Sequence, residues 1–369
     1  MAIYVIIYII FIVFCFLSIK KVKLNDKTQN NLFWTLVLLC ILLVGLRHYS
    51  VGTDSENYMY YFLRPIDGYN RGQSIEIGFK YWVEFIRLFT KDYEVFFFLS
   101  AIISIMPLAY CINILSTNKV VTFFFILFST SVSTLFEFEF SGMRQAISIA
   151  FFSLGILSLI KRNICIKTIL FFCISLLFHN SSILCIIIIM CMILIKKPIS
   201  MRCGLFMIIG SLFIYNIFIE YFVTYIQILS SYLSDDIQIL KYGASGIELY
   251  DRVKYLIMAT PFSIMAICYL INNAEDKQEV FQNNYVTLIA VIINLFVAFP
   301  IGFRITLYFI PFFMVFCLNK FLNKKYYVII LICIACIFSY RYLATLNTQN
   351  LNRSLTGNII VPYKSSVFN

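Results

Sequence analysis

The stretch LFWTLVLLCILLVGLRHYSVGTDSENY, Leu32 to Tyr58, decides how this chain is read. Its first half, Leu32 to Leu46, is an apolar run of the kind that crosses a bilayer. Directly at its end sit Arg47, His48, Asp54 and Glu56, beside Gly45 and Gly52 and the hydroxyls of Ser50, Thr53 and Ser55. An ordinary membrane exit needs one or two polar residues and an aromatic anchor. A cation, a carboxylate and a flexible turn at the lipid boundary are instead the equipment of a site for an anionic ligand.

Composition extends the membrane reading to the whole chain. Of the 369 residues 61% are hydrophobic and 18% aromatic, with a mean hydropathy of +0.89. Soluble domains are about 45–50% apolar, so the sequence predicts an all-α, polytopic membrane protein forming one transmembrane domain over 1–369. Residues 2–19 read as a first transmembrane helix rather than a cleaved leader, having no basic start and no small-residue cleavage site. Apolar runs then give about twelve spans, with a range of 10–13: 2–19, 32–46, 95–115, 120–136, 146–160, 167–178, 182–195, 203–220, 255–271, 285–300, 305–319 and 326–340. The runs 167–178 and 182–195 are short, and are expected to form short or re-entrant helices that stop at His179.

Basic residues set the orientation. Lysine-rich loops alternate along the chain: Lys20, Lys21, Lys23 and Lys27; Lys161, Arg162 and Lys167; Lys196, Lys197 and Arg202; Lys320, Lys324 and Lys325. With Lys119 and Lys277 they hold 15 of the 29 basic residues and are assigned to the cytoplasmic side. Both termini then lie outside, as do loops near 47–94 and 221–254 and a tail near 341–369. The formal charge of +11 is mostly this topology signal, and no nucleic-acid partner is expected.

Arginine is sorted differently from lysine. Nine of eleven arginines fall outside (Arg47, Arg64, Arg71, Arg87, Arg144, Arg252, Arg304, Arg341 and Arg353), against five of eighteen lysines. Orientation needs only positive charge, so it does not explain sorting by type. Arginine's planar, permanently charged fork suits phosphate and carboxylate. The outer face is built to hold an anion.

Other polar groups fall on the same face, where ionisable residues near membrane are expensive. The segment IEIGFKYWVEFIR, Ile75 to Arg87, is amphipathic and predicts an interfacial helix around 75–88. Glu76 at its start either caps that helix or faces the site. In EFEFSGMRQ, Glu137 to Gln145, Arg144 and Gln145 open a span, where free N–H groups and the helix dipole favour an anion. The alternative is an exit salt bridge from Arg144 to Glu139. His179, one of two histidines, sits in FHNSS at a membrane re-entry point. Arg304 begins another helix with Tyr308 one turn along the same face. The loop near 221–254 ends in Glu248, Asp251, Arg252 and Lys254. Outer tyrosines belong by default to the interfacial belt; Tyr58, closing the opening stretch, is the one expected at the site.

Several chemistries lack their signatures. Glu137-Phe-Glu139 resembles a paired-carboxylate metal motif only loosely, and no GxxxxGK, HExxH or GxSxG occurs. No metal and no cofactor is expected. The twelve cysteines sit in or beside apolar runs, and Cys333 and Cys336 have no partner pair, so they read as packing residues.

The order GLRHYSVGTD (45–54), Ile75-Glu76-Ile77-Gly78, Arg144-Gln145, Phe178-His179-Asn180-Ser181, Arg304 with Tyr308, and the closing Val361-Pro362-Tyr363-Lys364 resembles EpsG-type proteins. That group is similar to the Wzy O-antigen and capsule polymerases. The resemblance implies a multi-pass enzyme of the bacterial inner membrane, active at its periplasmic face. Such an enzyme transfers a growing glycan from undecaprenyl diphosphate to another lipid-linked repeat unit, and a chain-length-determining co-polymerase is an expected partner. It further implies Arg47, Arg144 and Arg304 on the diphosphate, with Arg252 a fourth. Asp54 or His179 is the candidate base, and Glu76 the reserve carboxylate. The rivals are an O-antigen ligase using the same donor, a lipid-linked oligosaccharide flippase, and a membrane acyltransferase.

Overall fold

A computed structural model describes residues 2–19, 26–64, 75–128, 139–162, 164–214, 221, 249–273, 280–296, 300–322, 325–351, 363 and 365. Side chains at 2, 19, 162, 249–257, 272, 273, 300, 301, 303, 325, 326, 341 and 345–351 are outside the description. The described residues are all-helical, and each of the twelve apolar runs carries a helix. In chain order the helices are α1 (Ala2–Ile19), α2 (Asp26–Gly45), α3 (Ser55–Leu63), α4 (Ile77–Arg87), α5 (Tyr93–Leu115), α6 (Lys119–Phe128), α7 (Met143–Arg162) and α8 (Ile166–Phe178). They continue as α9 (Ser182–Leu194), α10 (Met201–Ile214), α11 (Leu249–Asn273), α12 (Val280–Phe296), α13 (Pro300–Phe321) and α14 (Lys325–Leu351).

Five of these described helices contain stretches long and apolar enough to cross a membrane: Asp26–Gly45, Tyr93–Leu115, Met143–Lys161, Arg304–Phe321 and Tyr327–Ala344. Seven other helices carry apolar stretches of 10–17 described residues. A thirteen-residue helix such as α8 rises about 20 Å, against about 30 Å of hydrocarbon. α8 and α9 are separated by the turn at His179, Asn180 and Ser181.

The chain divides into two compact units, Met1–Ile183 with Ile329–Asn369, and Leu184–Val328. In the first, α5 packs against α2 and α7, and α7 against α8. Small residues allow the approach, as in membrane helix pairs generally. A Cβ on Gly155 would stand 2.5 Å from Phe172, and one on Gly45 would stand 3.0 Å from the Phe98 backbone. Ser148 and Ser175 hydrogen-bond between α7 and α8 at 2.9 Å. The helix expected around 75–88 forms as α4: Phe79, Val83 and Ile86 are buried, while Ile77, Tyr81 and Phe85 are exposed. Trp82 of α4 donates to Ser100 of α5 at 3.0 Å.

The second unit is built on α11, α12 and α13. Its buried polar groups are paired, as a low-dielectric interior requires. Asn284 accepts from the Ile199 N–H at 2.8 Å and donates to the carbonyls of Ile195 and Lys197. Asn294 accepts from Ser263 and donates to Ser211, each at 2.8 Å.

Candidate active site

The exit of α2 is ordered by backbone geometry. After Gly45 the chain turns, and Arg47 folds back beneath it rather than outward, with 1% of its surface exposed. Its Nη1 donates to the Val44 carbonyl, its Nε to Ser55 Oγ at 3.2 Å, and its guanidinium lies 4.5 Å from the Phe97 ring centre. Ser55 Oγ in turn donates to the Phe140 carbonyl at 3.0 Å, and the Thr53 N–H to Ser141 Oγ at 3.2 Å. Gly52 has φ +102°, and a Cβ there would meet the Phe140 oxygen at 2.4 Å. Only glycine suits that close, left-handed position. The opening stretch is therefore laced to residues 140–141, just ahead of α7.

Three of the candidate residues converge at the ends of three helices. Glu76 precedes α4 in extended conformation and makes no side-chain cap bond, so its carboxylate is available to the site. Gly78 lets α4 come close to the end of α8, where a Cβ would stand 2.8 Å from the Leu177 carbonyl. That approach delivers Glu76 to His179. Glu76 Oε1 accepts from His179 Nδ1 at 3.0 Å, and Oε2 pairs with Arg144 Nη1 at 2.5 Å. Arg144 is the second residue of α7 and reaches the Tyr58 hydroxyl as well, its guanidinium 6.0 Å from that ring centre. Tyr58 is buried against Phe79, with ring centres 5.4 Å apart.

Electrostatics follow from these contacts. Burial of Glu76 opposes its ionisation, but the His179 hydrogen bond and the Arg144 charge together outweigh it. They hold the carboxyl below its ordinary range. Burial pushes the Tyr58 phenol up, and the nearby Asp54 charge adds to that against the opposing pull of Arg144. With Glu76 accepting the Nδ1–H, the neutral form of the His179 ring has its lone pair on Nε2. The side chains of His179 and Arg144 retain 19% and 23% exposure, so the outer edge of the cluster is open.

The structure thus brings Glu76, His179, Arg144 and Tyr58 together. Arg144 is paired, but with Glu76 and not with Glu139. Asp54 is half-buried at the start of α3, its charge felt at Tyr58. Gln145 is buried beside Arg144. Arg304 is exposed and Tyr308 fully buried on α13, in the second unit. Arg71, Glu137, Glu248 and Arg353, and the side chains of Asp251, Arg252, Lys254 and Arg341, lie outside the described residues.

Two features carry no sequence signal. Arg47 is interior although it follows the end of a helix, and Glu139 is enclosed, its Oε2 accepting from Ser104 Oγ at 2.5 Å halfway along α5. Tyr363 and Ser365 also meet the exit of α2. The Tyr363 hydroxyl donates to the Leu43 carbonyl at 3.0 Å, and Ser365 pairs with the Arg47 backbone. Among the described residues no group of three His, Cys, Asp or Glu side chains could hold a metal ion.

No curated protein and no solved structure matches the chain. The α2 exit, the Glu76 turn, the head of α7 and the His179 turn all fall within residues 30–365, which the EpsG family model matches, and the chain belongs to the EpsG family.

Proposed function

We propose that this multi-pass membrane protein is a polysaccharide repeat-unit polymerase. It moves a growing O-antigen or capsular glycan from undecaprenyl diphosphate onto a second lipid-linked repeat unit. The observation that carries this reading is the single carboxylate of Glu76 shared between His179 and Arg144 at the meeting of three helix ends. Glycosyl transfer from a lipid diphosphate needs a base for the acceptor hydroxyl and positive charge for the departing diphosphate. Both lie on one carboxylate here.

In this mechanism His179 Nε2 takes the proton of the acceptor hydroxyl while Glu76 fixes the ring and supports the imidazolium that forms. The acceptor oxygen bonds to the anomeric carbon of the donor. The bond from that carbon to the diphosphate oxygen breaks, and its electron pair departs with undecaprenyl diphosphate. Arg144, at the positive end of the α7 dipole, stabilises that charge. The proton on His179 then returns to water. Tyr58 holds Arg144 from beneath, and Asp54 is the second candidate base. Arg47, being enclosed, is assigned to holding the loop rather than to the diphosphate.

The lysine-rich loops support a cytoplasmic (inner) membrane protein whose site faces the periplasm. Purified protein in liposomes with a labelled lipid-linked repeat unit tests the reading, with a ladder of longer glycans and released undecaprenyl diphosphate expected. Label crossing the bilayer without chain growth would make it a transporter. Transfer to a lipid A-core acceptor alone would make it a ligase.

A further inference from the structure

The end of α2 leaves carbonyls that no N–H of the helix itself reaches. The Leu46 N–H takes the Leu42 carbonyl, the Tyr363 hydroxyl that of Leu43, and Arg47 Nη1 that of Val44. Arg47 carries the fastening further, because its Nε donates to Ser55 Oγ at 3.2 Å. That hydroxyl gives its own proton to the Phe140 carbonyl at 3.0 Å. Ser55 is the first residue of α3 and Phe140 lies just ahead of α7, and both are fully buried. One enclosed hydroxyl, used as acceptor and donor, thus ties the ends of α2, α3 and α7 together. Thr53 runs a second stitch along the same seam, its N–H and its hydroxyl meeting Ser141 Oγ at 3.2 and 3.3 Å. Tyr58 follows Ser55 by three residues, its N–H bonded to the Asp54 carbonyl at 3.0 Å, and Arg144 follows Phe140 by four. Both stretches are too short to absorb a shift, and at their far ends the Tyr58 phenol and the Arg144 guanidinium meet.

We propose that Ser55 is a positioning residue for the reaction. Its hydroxyl fixes α3 against the entry to α7, and so sets Arg144 where it meets Tyr58, Glu76 and the departing diphosphate. The positioning role rests on reading the Glu76 cluster as the reacting site; the seam itself does not. Without the hydroxyl, the Phe140 carbonyl and Arg47 Nε lose a partner in the interior, where an unmade hydrogen bond is costly. The two segments then slide against each other. Arg144 acts on charge that develops as the diphosphate leaves, so its misplacement falls on kcat rather than on KM. Misplacement of an ångström at a reacting centre is enough to cost roughly a hundredfold in rate.

Chain growth from a labelled lipid-linked repeat unit tests the role. Ser55→Ala is expected to lower kcat by roughly tenfold to a hundredfold with KM unchanged. Wild-type kcat, or a loss confined to KM, overturns the role. The same substitution made on Arg144→Ala is expected to lower kcat no further, because a positioning residue has no effect once the group it positions is gone. A second full loss on that background overturns the role in favour of a merely structural one. Should Ser55→Ala not accumulate in membranes, Ser55→Cys keeps the shape and weakens both hydrogen bonds, and wild-type kcat there overturns the role equally. The seam is tested without substrate by pairing Thr53→Cys with Ser141→Cys. On oxidation the pair is expected to cross-link, read by mass spectrometry as a linked peptide carrying residues 53 and 141. Failure to cross-link overturns the seam. Added to Ser55→Ala, the cross-link is expected to recover most of the lost kcat and to give it up again on reduction; no recovery overturns the role. Absence of chain growth in the wild-type protein would overturn the polymerase reading, while the cross-link would still decide the seam.

Discussion

Glu76 Oε1 accepts a hydrogen bond from His179 Nδ1 at 3.0 Å, joining residues 103 positions apart in the chain. The same carboxylate holds Arg144 through its other oxygen. In the proposed mechanism the acid-base and leaving-group roles are therefore mechanically coupled, and substitutions in the cluster should not behave independently.

His179→Ala is expected to lower chain growth by roughly 10²–10⁴ in kcat, the usual span for loss of a general base. Glu76→Gln should cost nearly as much, and the double variant little more than either, because residues that act as one unit are not additive. Rate measurements on the three proteins check this. Independent, multiplicative losses would separate the two roles.

Arg144→Ala is expected to cost roughly 10²–10³ in kcat, as for loss of one charge-stabilising donor. Arg144→Lys should recover only a fraction. A single ammonium does not reproduce the fork that spans Glu76 and Tyr58. Glycan length and initial rate, compared at equal membrane content, report both.

Acid should unfasten the cluster. The Glu76 carboxyl is held below its ordinary range, so the unfolded chain binds the proton more tightly than the native one. Its stabilisation is thus present above the unfolded value of about 4.3 and is lost as pH falls through the lower native value. The thermal midpoint in detergent should drop across that acid window, and Glu76→Gln should flatten this part of the profile.

Gly78→Ala should separate Glu76 from His179 without touching either. Its Cβ would stand 2.8 Å from the Leu177 backbone, which no rotamer change relieves. Chain growth should fall while the protein still inserts. Gly210→Ala, where nothing lies within 4 Å, is the matched control and should leave chain growth unchanged.

Chain growth should persist in a chelator such as EDTA, since the proposed charge for the diphosphate is arginine. Loss of activity restored by a divalent cation would assign that charge to a metal.

The sequence by itself determined where helices form, because the apolar length and periodicity that drive them are local. It also marked Glu76, Arg144 and His179, each a polar residue beside an apolar run where such residues are costly. Which of these meet was not local. Arg144 had Glu139 five residues away as an obvious partner and took Glu76 instead, 68 positions distant. That choice depends on Gly78 letting α4 close on α8, and on small residues such as Gly155 and Ser148 drawing α7 against α8. Arg47 shows the same limit from the other side. Its place after a membrane-spanning run suggested a cation offered to an anion, and packing against Phe97, Phe140 and Ser365 turned it inward. Helices follow from neighbours in sequence; the site follows from neighbours in space, which only the packed structure supplies.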